Sequence, residues 1–417
     1  MPAVASGGAC RQTLMIAPQP FFRVTGTPIN ILTTCRALTE SGIAVHLLTL
    51  PYGEDVALPG LTLHRVGRLP GIGPLPVGFS VGKLAYNLSL MVAFLRLCRS
   101  QRFAAVHAIE EAAFWAVPLA HLRGVPAIID LDSDLCGQLR DHGSVLARML
   151  AAPAGWLRHF ALRRAAGALT VSGQATEIAR AGNPSIPVFE VNDIPIEGAS
   201  RPPDANALLA MRAKLGLVGR RPVVYTGNYD RRQGLLEVVQ AMAAVHARHP
   251  SALLLVVGGE PEQVNALQAR VESDQLTEAV RLIGAQPPEM MPEFMGLAEV
   301  LVSPRLEPYN TPLKLFSYMA SGRPIVATDL PTHTRILNGE AAILVEPTPA
   351  GLASGILRAF EDPAGAAALG RRAQRLVQER YTYTGFKRGV AECYAAVLGP
   401  GQDASAQVDE AGRSGRG

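Results

Sequence analysis

The feature that most constrains this chain is an alternation, kept up over most of its length, of short continuous apolar runs with longer stretches of helical apolar spacing. Runs of the first kind predict strands at Thr13–Ala17, Val45–Leu50, Leu61–Val66, Ala104–His107, Pro126–Asp130, Ala168–Val171 and Val188–Val191. They resume at Val223–Tyr225, Leu253–Val257, Val280–Ile283, Val300–Val302, Pro324–Ala327 and Ala342–Val345. Between them, stretches such as Ile29–Thr39, Lys83–Cys98, Ala112–Leu122 and Leu146–Arg164 predict helices. A strand apolar on both faces must be covered on both faces, and a helix between successive strands lets them run parallel. The fold class expected is therefore α/β, with doubly wound parallel sheets.

The alternation pauses once. Residues 194–206 gather Pro195, Gly198, Pro202 and Pro203, which reads as a linker. The division expected is a first domain over 1–195, with the C-terminal helix packing back on it, a linker over 196–206 and a second domain over 207–398. A tail over 399–417, mostly Gly, Ala, Ser, Asp, Gln and Arg, is expected to be disordered. In open α/β sheets ligands sit at the carboxyl ends of strands, where helices begin. A cleft with those ends of both domains facing each other is the expected binding place.

Composition narrows the function. With 417 residues, 48% hydrophobic and 18% charged, the chain can bury two cores and is too apolar to be mainly disordered. A formal net charge of +4 falls short of a dedicated nucleic-acid binder, so no nucleic-acid partner is expected. Of 39 cations, Lys83, Lys214, Lys314 and Lys387 are the lysines and all others are arginine, so a single arginine is a weak pointer to phosphate. The cysteines, five in number and never spaced C-x-x-C, argue against a disulfide framework or a zinc knuckle and fit a reducing compartment. The first residues lack a signal peptide's pattern, and the apolar run Leu88–Leu95 is broken by Arg96 before reaching a spanning length. A cytoplasmic location is expected.

The most informative segment is SPRLEPYNTPLKLFSYMASGRPIVATD, residues 303–329. Asn310 or Thr311 is suited to cap a helix, Pro312 to its first turn and Gly322 to its end, with a strand following at once. A helix starting at a strand's carboxyl end offers backbone N–H groups and a positive dipole end to a diphosphate, and Lys314 would add a full charge. An ordinary capped helix carrying a solvated lysine explains the same residues equally well.

Strand, PLK, helix, SGRP, strand: TPLKLFSYMASGRPIVATDLPTHT resembles the donor-binding segment of GT-B glycosyltransferases of family 4, in a bacterial subgroup with an NTPLK…YSY pattern. YTGNYDRRQGLLEVVQAM (225–242), LLLVVGGEP (253–261), VRLIGAQPPEMMPEFMGLAEVLVSPR (280–305) and YTYTGFKRGVAECYAAV (381–397) agree in order. The resemblance implies two Rossmann-like domains facing across a cleft, the nucleotide sugar on the second and the glycosyl acceptor on the first. It places Gly227, Asn228, Gly258, Gly259, Ile283, Gly284 and Gln286 along the donor, with Tyr309, Asn310, Thr311, Pro312 and Ser317 around its diphosphate and sugar. No cofactor is implied beyond the nucleoside-diphosphate sugar itself, and no metal.

Departures from the family pattern are specific. The paired glutamates of many relatives fall here on Tyr309 and Ser317, with Glu307 two residues early as a substitute. The Arg and Lys that stabilise the leaving diphosphate fall on Asn228 and Gln233, leaving Arg231, Arg232, Lys314 and Glu307 as the catalytic candidates. The family's histidine near the fourth strand falls on Ile109, with His107 two residues earlier.

In the first domain, TGTPIN offers Gly26 and Thr27 at a helix start, with Thr27 before Pro28 reading equally well as a plain cap. Glu110 and Glu111, and the run Asp130, Asp132 and Asp134, end two strands and are candidates for acceptor contacts. Acidic caps at a strand-to-helix turn are the plainer account of both. Arg140, Arg148, Arg158, Arg163 and Arg164, interleaved with Trp156, Leu157 and Phe160, read as a basic amphipathic surface for anionic lipid, or as core packing with an arginine-rich exterior. The expected function is a retaining hexosyltransferase acting from a nucleoside-diphosphate sugar on a saccharide, lipid-linked or small-molecule hydroxyl, in cell-surface polysaccharide or glycolipid synthesis. The alternative is a non-catalytic nucleotide-sugar-binding or partner-binding protein on the same fold.

Overall fold

Every predicted strand is present, its ends shifted by a residue or two. The computed structural model describes residues 11–22, 26–73, 80–140, 144–196, 198, 201–308 and 311–399. The expectations for the tail beyond Gly399, and for Tyr309 and Asn310, lie outside the described residues. The first sheet consists of β1 (Arg11–Ala17), β2 (Ile43–Thr49), β3 (Leu61–Arg65), β4 (Ala105–Ile109), β5 (Ala127–Leu131), β6 (Gly167–Thr170) and β7 (Val188–Glu190). The second consists of β8 (Arg221–Thr226), β9 (Ala252–Val257), β10 (Val280–Gly284), β11 (Val300–Ser303), β12 (Ile325–Thr328) and β13 (Ile343–Val345).

Both sheets are parallel throughout and share one winding. The first runs β3-β2-β1-β4-β5-β6-β7 and the second β10-β9-β8-β11-β12-β13. In register, Thr13 of β1 lies beside Val45 and Ala105, and Val223 of β8 beside Leu254 and Val300. Each sheet therefore reverses its strand order next to its first strand, between β1 and β4 and between β8 and β11. At such a reversal neighbouring helices leave on opposite faces and a crevice opens at the carboxyl edge.

Burial explains why the strands read as continuous apolar runs. Every residue of β4, β5 and β9 is buried. The chain forms two compact units, residues 11–192 with 384–399 and residues 193–383 of those described. The final helix, Tyr383–Leu398, thus sends most of its length to the first unit. There the Tyr394 hydroxyl lies 3.2 Å from Thr13 Oγ1 and 3.0 Å from His107 Nδ1. Among the described residues, no helix is long and apolar enough to cross a membrane.

Candidate functional site

In the second unit, the carboxyl ends of β8, β9 and β10 are drawn together by glycines. Gly227 follows β8 at φ 139°, and its N–H donates to the Val257 carbonyl at 2.9 Å; the Gly258 N–H donates to the Gly284 carbonyl at 2.8 Å. A Cβ on Gly258 would overlap the Gly227 carbonyl, and one on Gly234 the Pro304 carbonyl, so only glycine fits either place. A Cβ on Gly284 would meet nothing within 4 Å, which leaves Ile283–Gln286 an open backbone edge. Gln286 sits on that edge, its Nε2 3.5 Å from the Ile283 carbonyl.

Lys314 lies against this glycine edge, buried rather than solvated. Its Nζ sits 3.8 Å from the centroid of the buried Tyr225 ring and 3.4 Å from where a Gly227 Cβ would be, with no hydrogen-bond partner among the described residues. Burial, and then the nearby Arg305, hold it well below the ordinary lysine range. A ring face offers an ammonium about 1–2 kcal/mol, less than the several kcal/mol lost when the charge leaves water. Burial and Arg305 thus both disfavour the charged form of this amine in the ligand-free protein, against the full positive charge expected from the sequence.

The helix start itself also differs from expectation. The helix runs Lys314–Ser321, with Leu313 in the cap position and no side-chain cap. Thr311 and Pro312 precede it rather than cap or open it. The N–H groups of Leu315 and Phe316 are already used, donating to the Pro312 and Leu313 carbonyls at 2.8 and 3.2 Å. Gly322 closes the helix at φ 69°, as a left-handed residue.

Cationic character comes instead from Arg305, a residue that sequence reasoning passed over. It follows β11 directly, is 9% exposed, and its carbonyl accepts from Thr328 Oγ1 at 2.7 Å. Burial and the repulsion of Arg232 lower its guanidinium's pKa, while Glu307 and Asp230 oppose the shift. Arg232 grips Asp230 through two N–H···O bonds of 2.9 and 2.8 Å, which holds the Asp230 carboxyl below its usual range. Arg231 and Asn228 are exposed, and Asn228 Oδ1 accepts from the Asp230 N–H at 3.2 Å. Of the named candidates, Lys314, Arg232 and Glu307 lie within electrostatic reach of Arg305, and Gly227 lies against Lys314.

Ser317 is placed differently. It is buried, and its hydroxyl accepts the Ile196 N–H at 3.3 Å. This side chain thus fastens the incoming chain at Ile196. Two further residues were missed. Tyr229, whose ring bars any Cβ at Gly259 (2.6 Å), keeps a buried hydroxyl without a partner among the described residues. His333 lies between Ser303 Oγ (2.8 Å) and the Thr328 carbonyl (2.9 Å), and burial pushes it down to about 3.

In the first unit, polar groups gather where β1 and β4 part. Gln19, after β1, donates from Nε2 to Glu110 Oε2 at 2.9 Å, and Ser133 Oγ donates to Glu110 Oε1 at 2.8 Å. Glu110 adopts φ 49°, a left-handed conformation costly for a side chain of this kind and often kept at functional sites. Burial, and then Glu111, raise its carboxyl above the usual range. Glu111 pairs with Lys83 at 3.2 Å; against the pull of burial, Glu111 and Glu110 keep Lys83 above its ordinary value.

The aspartates of β5 go to separate partners. Asp130 is buried and meets His107 Nε2 at 3.0 Å, continuing the chain through His107 to Tyr394 and Thr13. It thereby ties β5 to the C-terminal helix, while its Oδ1 is buried without a partner among the described residues. Asp132 accepts from Thr27 Oγ1 at 2.6 Å, so Thr27 is no helix cap; the helix begins one residue earlier, at Gly26. Asp134 pairs with Arg158 at 3.1 Å. Among the described residues, no group of three or more His, Cys, Asp and Glu is placed to hold a metal.

Known proteins resemble this chain in both halves. Residues 220–362 match the family model described as Glycosyl transferases group 1, and residues 25–189 match the Glycosyl transferase 4-like domain. The phosphatidyl-myo-inositol mannosyltransferase of Mycobacterium leprae is 25% identical over 86% of this chain and 91% of its own. The glycogen synthase of Mycobacterium tuberculosis is 23% identical over 95% and 92%. Among solved structures, Anabaena HepE in complex with UDP superposes with a TM-score of 0.70 at 15% identity, covering 93% of this chain and 100% of its own. Sucrose-phosphate synthase from Thermosynechococcus elongatus gives 0.73 at 21% identity over 92% and 98%.

Proposed function

We propose that this chain, a glycosyltransferase of the GT-B fold by its two domain matches and its sheets, moves a hexosyl group from a nucleoside-diphosphate sugar to an acceptor hydroxyl with retention of configuration. The observation that carries the reading is the cluster at the β8/β11 reversal. There a buried guanidinium, Arg305, and an amine without a partner among the described residues, Lys314, lie beside glycines that admit close backbone approach. Such a place calls for an anion. A diphosphate set there receives N–H bonds from Arg305, charge from Arg232 and, once it protonates, a charge-assisted bond from Lys314. Charge that develops on the leaving diphosphate is then met by groups already in position. The nucleoside base takes the open edge at Ile283–Gln286. The acceptor takes the Glu110 and Glu111 end of the first sheet. Among the described residues no side chain at the donor cluster is an obvious nucleophile, which favours departure and attack on one face, the leaving phosphate taking the acceptor's proton.

Cell-surface polysaccharide or glycolipid synthesis belongs to the same reading, with a peripheral contact on anionic membrane. Helix Val145–Leu162 supports it: Val145, Met149 and Trp156 line one exposed side at 62, 69 and 64% exposure, with Arg148 and Arg163 also exposed. Failure to float with anionic vesicles at low salt removes that contact from the proposal.

One observation favours the non-catalytic alternative: the Ser317 hydroxyl, at the position where the family resemblance implies a ribose-contacting glutamate, is occupied by the Ile196 N–H. Thermal unfolding against UDP, GDP and ADP tests binding, and nucleotide release from the matching sugars with an acceptor panel tests transfer. Binding with turnover supports the transferase; binding without turnover on any acceptor selects the alternative.

A further inference from the structure

The polar atoms left over at the carboxyl edge of the first sheet all have one character. Gln19 is 8% exposed, and its Nε2 is committed to Glu110; its Oε1 is buried and without a partner among the described residues. Because a carboxylate accepts, the amide nitrogen must face Glu110, and the amide oxygen is the atom left over. Glu111 repeats the pattern: Oε1 is paired with Lys83, while Oε2 is buried without a partner among the described residues. The donors nearest to it are engaged, Lys83 with Glu111 and the Ser133 hydroxyl with Glu110. Among the described residues, no donor reaches either of these two oxygens.

Charge points the same way. Two carboxyl groups face one ammonium, so an incoming anion meets repulsion, whereas a hydroxyl brings the hydrogen that both orphan oxygens lack. The second unit has the opposite bias, its Lys314 amine being a donor in want of an acceptor. Placement is independent of these contacts: Gln19 follows β1 and Glu110 follows β4, the two strands between which the sheet reverses.

We infer that the carboxyl edge of the first sheet, at Gln19, Glu110 and Glu111, is a binding site for an uncharged polyol, a ligand that brings hydroxyl hydrogens and carries no phosphate or carboxylate. Naming that ligand the glycosyl acceptor rests on the proposed transferase function; the site itself does not.

The test is a ligand-observed NMR titration of the full chain, with and without saturating UDP, using matched pairs: methyl glucoside against glucose 6-phosphate, and myo-inositol against its monophosphate. The neutral member of each pair binds, and the phosphorylated member binds at least about tenfold more weakly. Gln19→Leu weakens the neutral probes by about tenfold, and the isosteric Glu111→Gln, which lifts one negative charge, narrows the gap within each pair. Phosphorylated probes that bind as tightly as neutral ones overturn the inference. So does an absence of any probe binding while UDP binds the same sample, or polyol binding unchanged in both variants. Polyol binding in a protein that ignores UDP upholds the site and removes the donor reading instead.

Discussion

Replacing Lys314 by methionine separates what stabilises this protein from what lets it bind. The amine lies over the Tyr225 ring with no partner among the described residues and with Arg305 beside it. A buried polar group left unpaired costs about 1–3 kcal/mol, a cost that an apolar side chain of similar length does not carry. Methionine keeps the stem's packing, so Lys314→Met is expected to stabilise the ligand-free protein by about 1–2 kcal/mol. In a unit of this size that raises the melting temperature by roughly 2–6 °C. Binding moves the other way. A diphosphate loses one charge-assisted hydrogen bond, about 1.5–3 kcal/mol, or roughly 10–100-fold in affinity. Thermal unfolding without ligand and calorimetric titration with UDP read the two effects in one preparation. Opposed signs are the diagnostic result, as expected where stability has been given up for a site. A melting temperature that falls by several degrees would show that the amine has a partner after all, and unchanged UDP affinity would show that it never meets the phosphate.

Three further outcomes follow from the same structure. Lys314 has a folded pKa below its unfolded one, so ligand-free stability falls as pH drops out of the ordinary lysine range. A bound diphosphate raises that pKa, binding takes up a proton, and UDP affinity should strengthen as pH falls below the ordinary lysine range, a slope that titrations show and Lys314→Met flattens. Gly258→Ala forces a Cβ into the Gly227 carbonyl at φ 121°, so it should cost more than about 2 kcal/mol in unfolding and abolish UDP binding; near-normal values for both would refute the close approach. Tyr394→Phe leaves Thr13 and His107 without their shared hydroxyl and should destabilise the first unit by about 1–3 kcal/mol, with faster amide exchange along helix Tyr383–Leu398 and UDP affinity unchanged.

What was legible in the sequence divides along a physical line. Strands and their parallel arrangement were readable because burial on both faces leaves a continuous apolar run, as in β9, and no tertiary accident can hide it. Gly258 was readable for a related reason: a backbone approach that excludes a Cβ leaves only one residue type possible. Charge states were not readable, because they depend on who the neighbours are. Lys314 stood out as a lysine among arginines, yet burial and the nearby Arg305 hold it well below the ordinary lysine range, its amine without a partner among the described residues. Arg305, hidden in an arginine-rich composition, carries the buried charge because β11 delivers it to the strand reversal. Asp130 and Asp132 are two residues apart, yet Asp130 lies within β5 and meets His107, while Asp132, just past the strand's end, meets Thr27. Sequence spacing names the groups that reach an edge of the sheet. Which of them remain open to a ligand is decided by the partners that folding has already supplied, and here those partners leave hydrogen-bond acceptors on one unit and donors on the other.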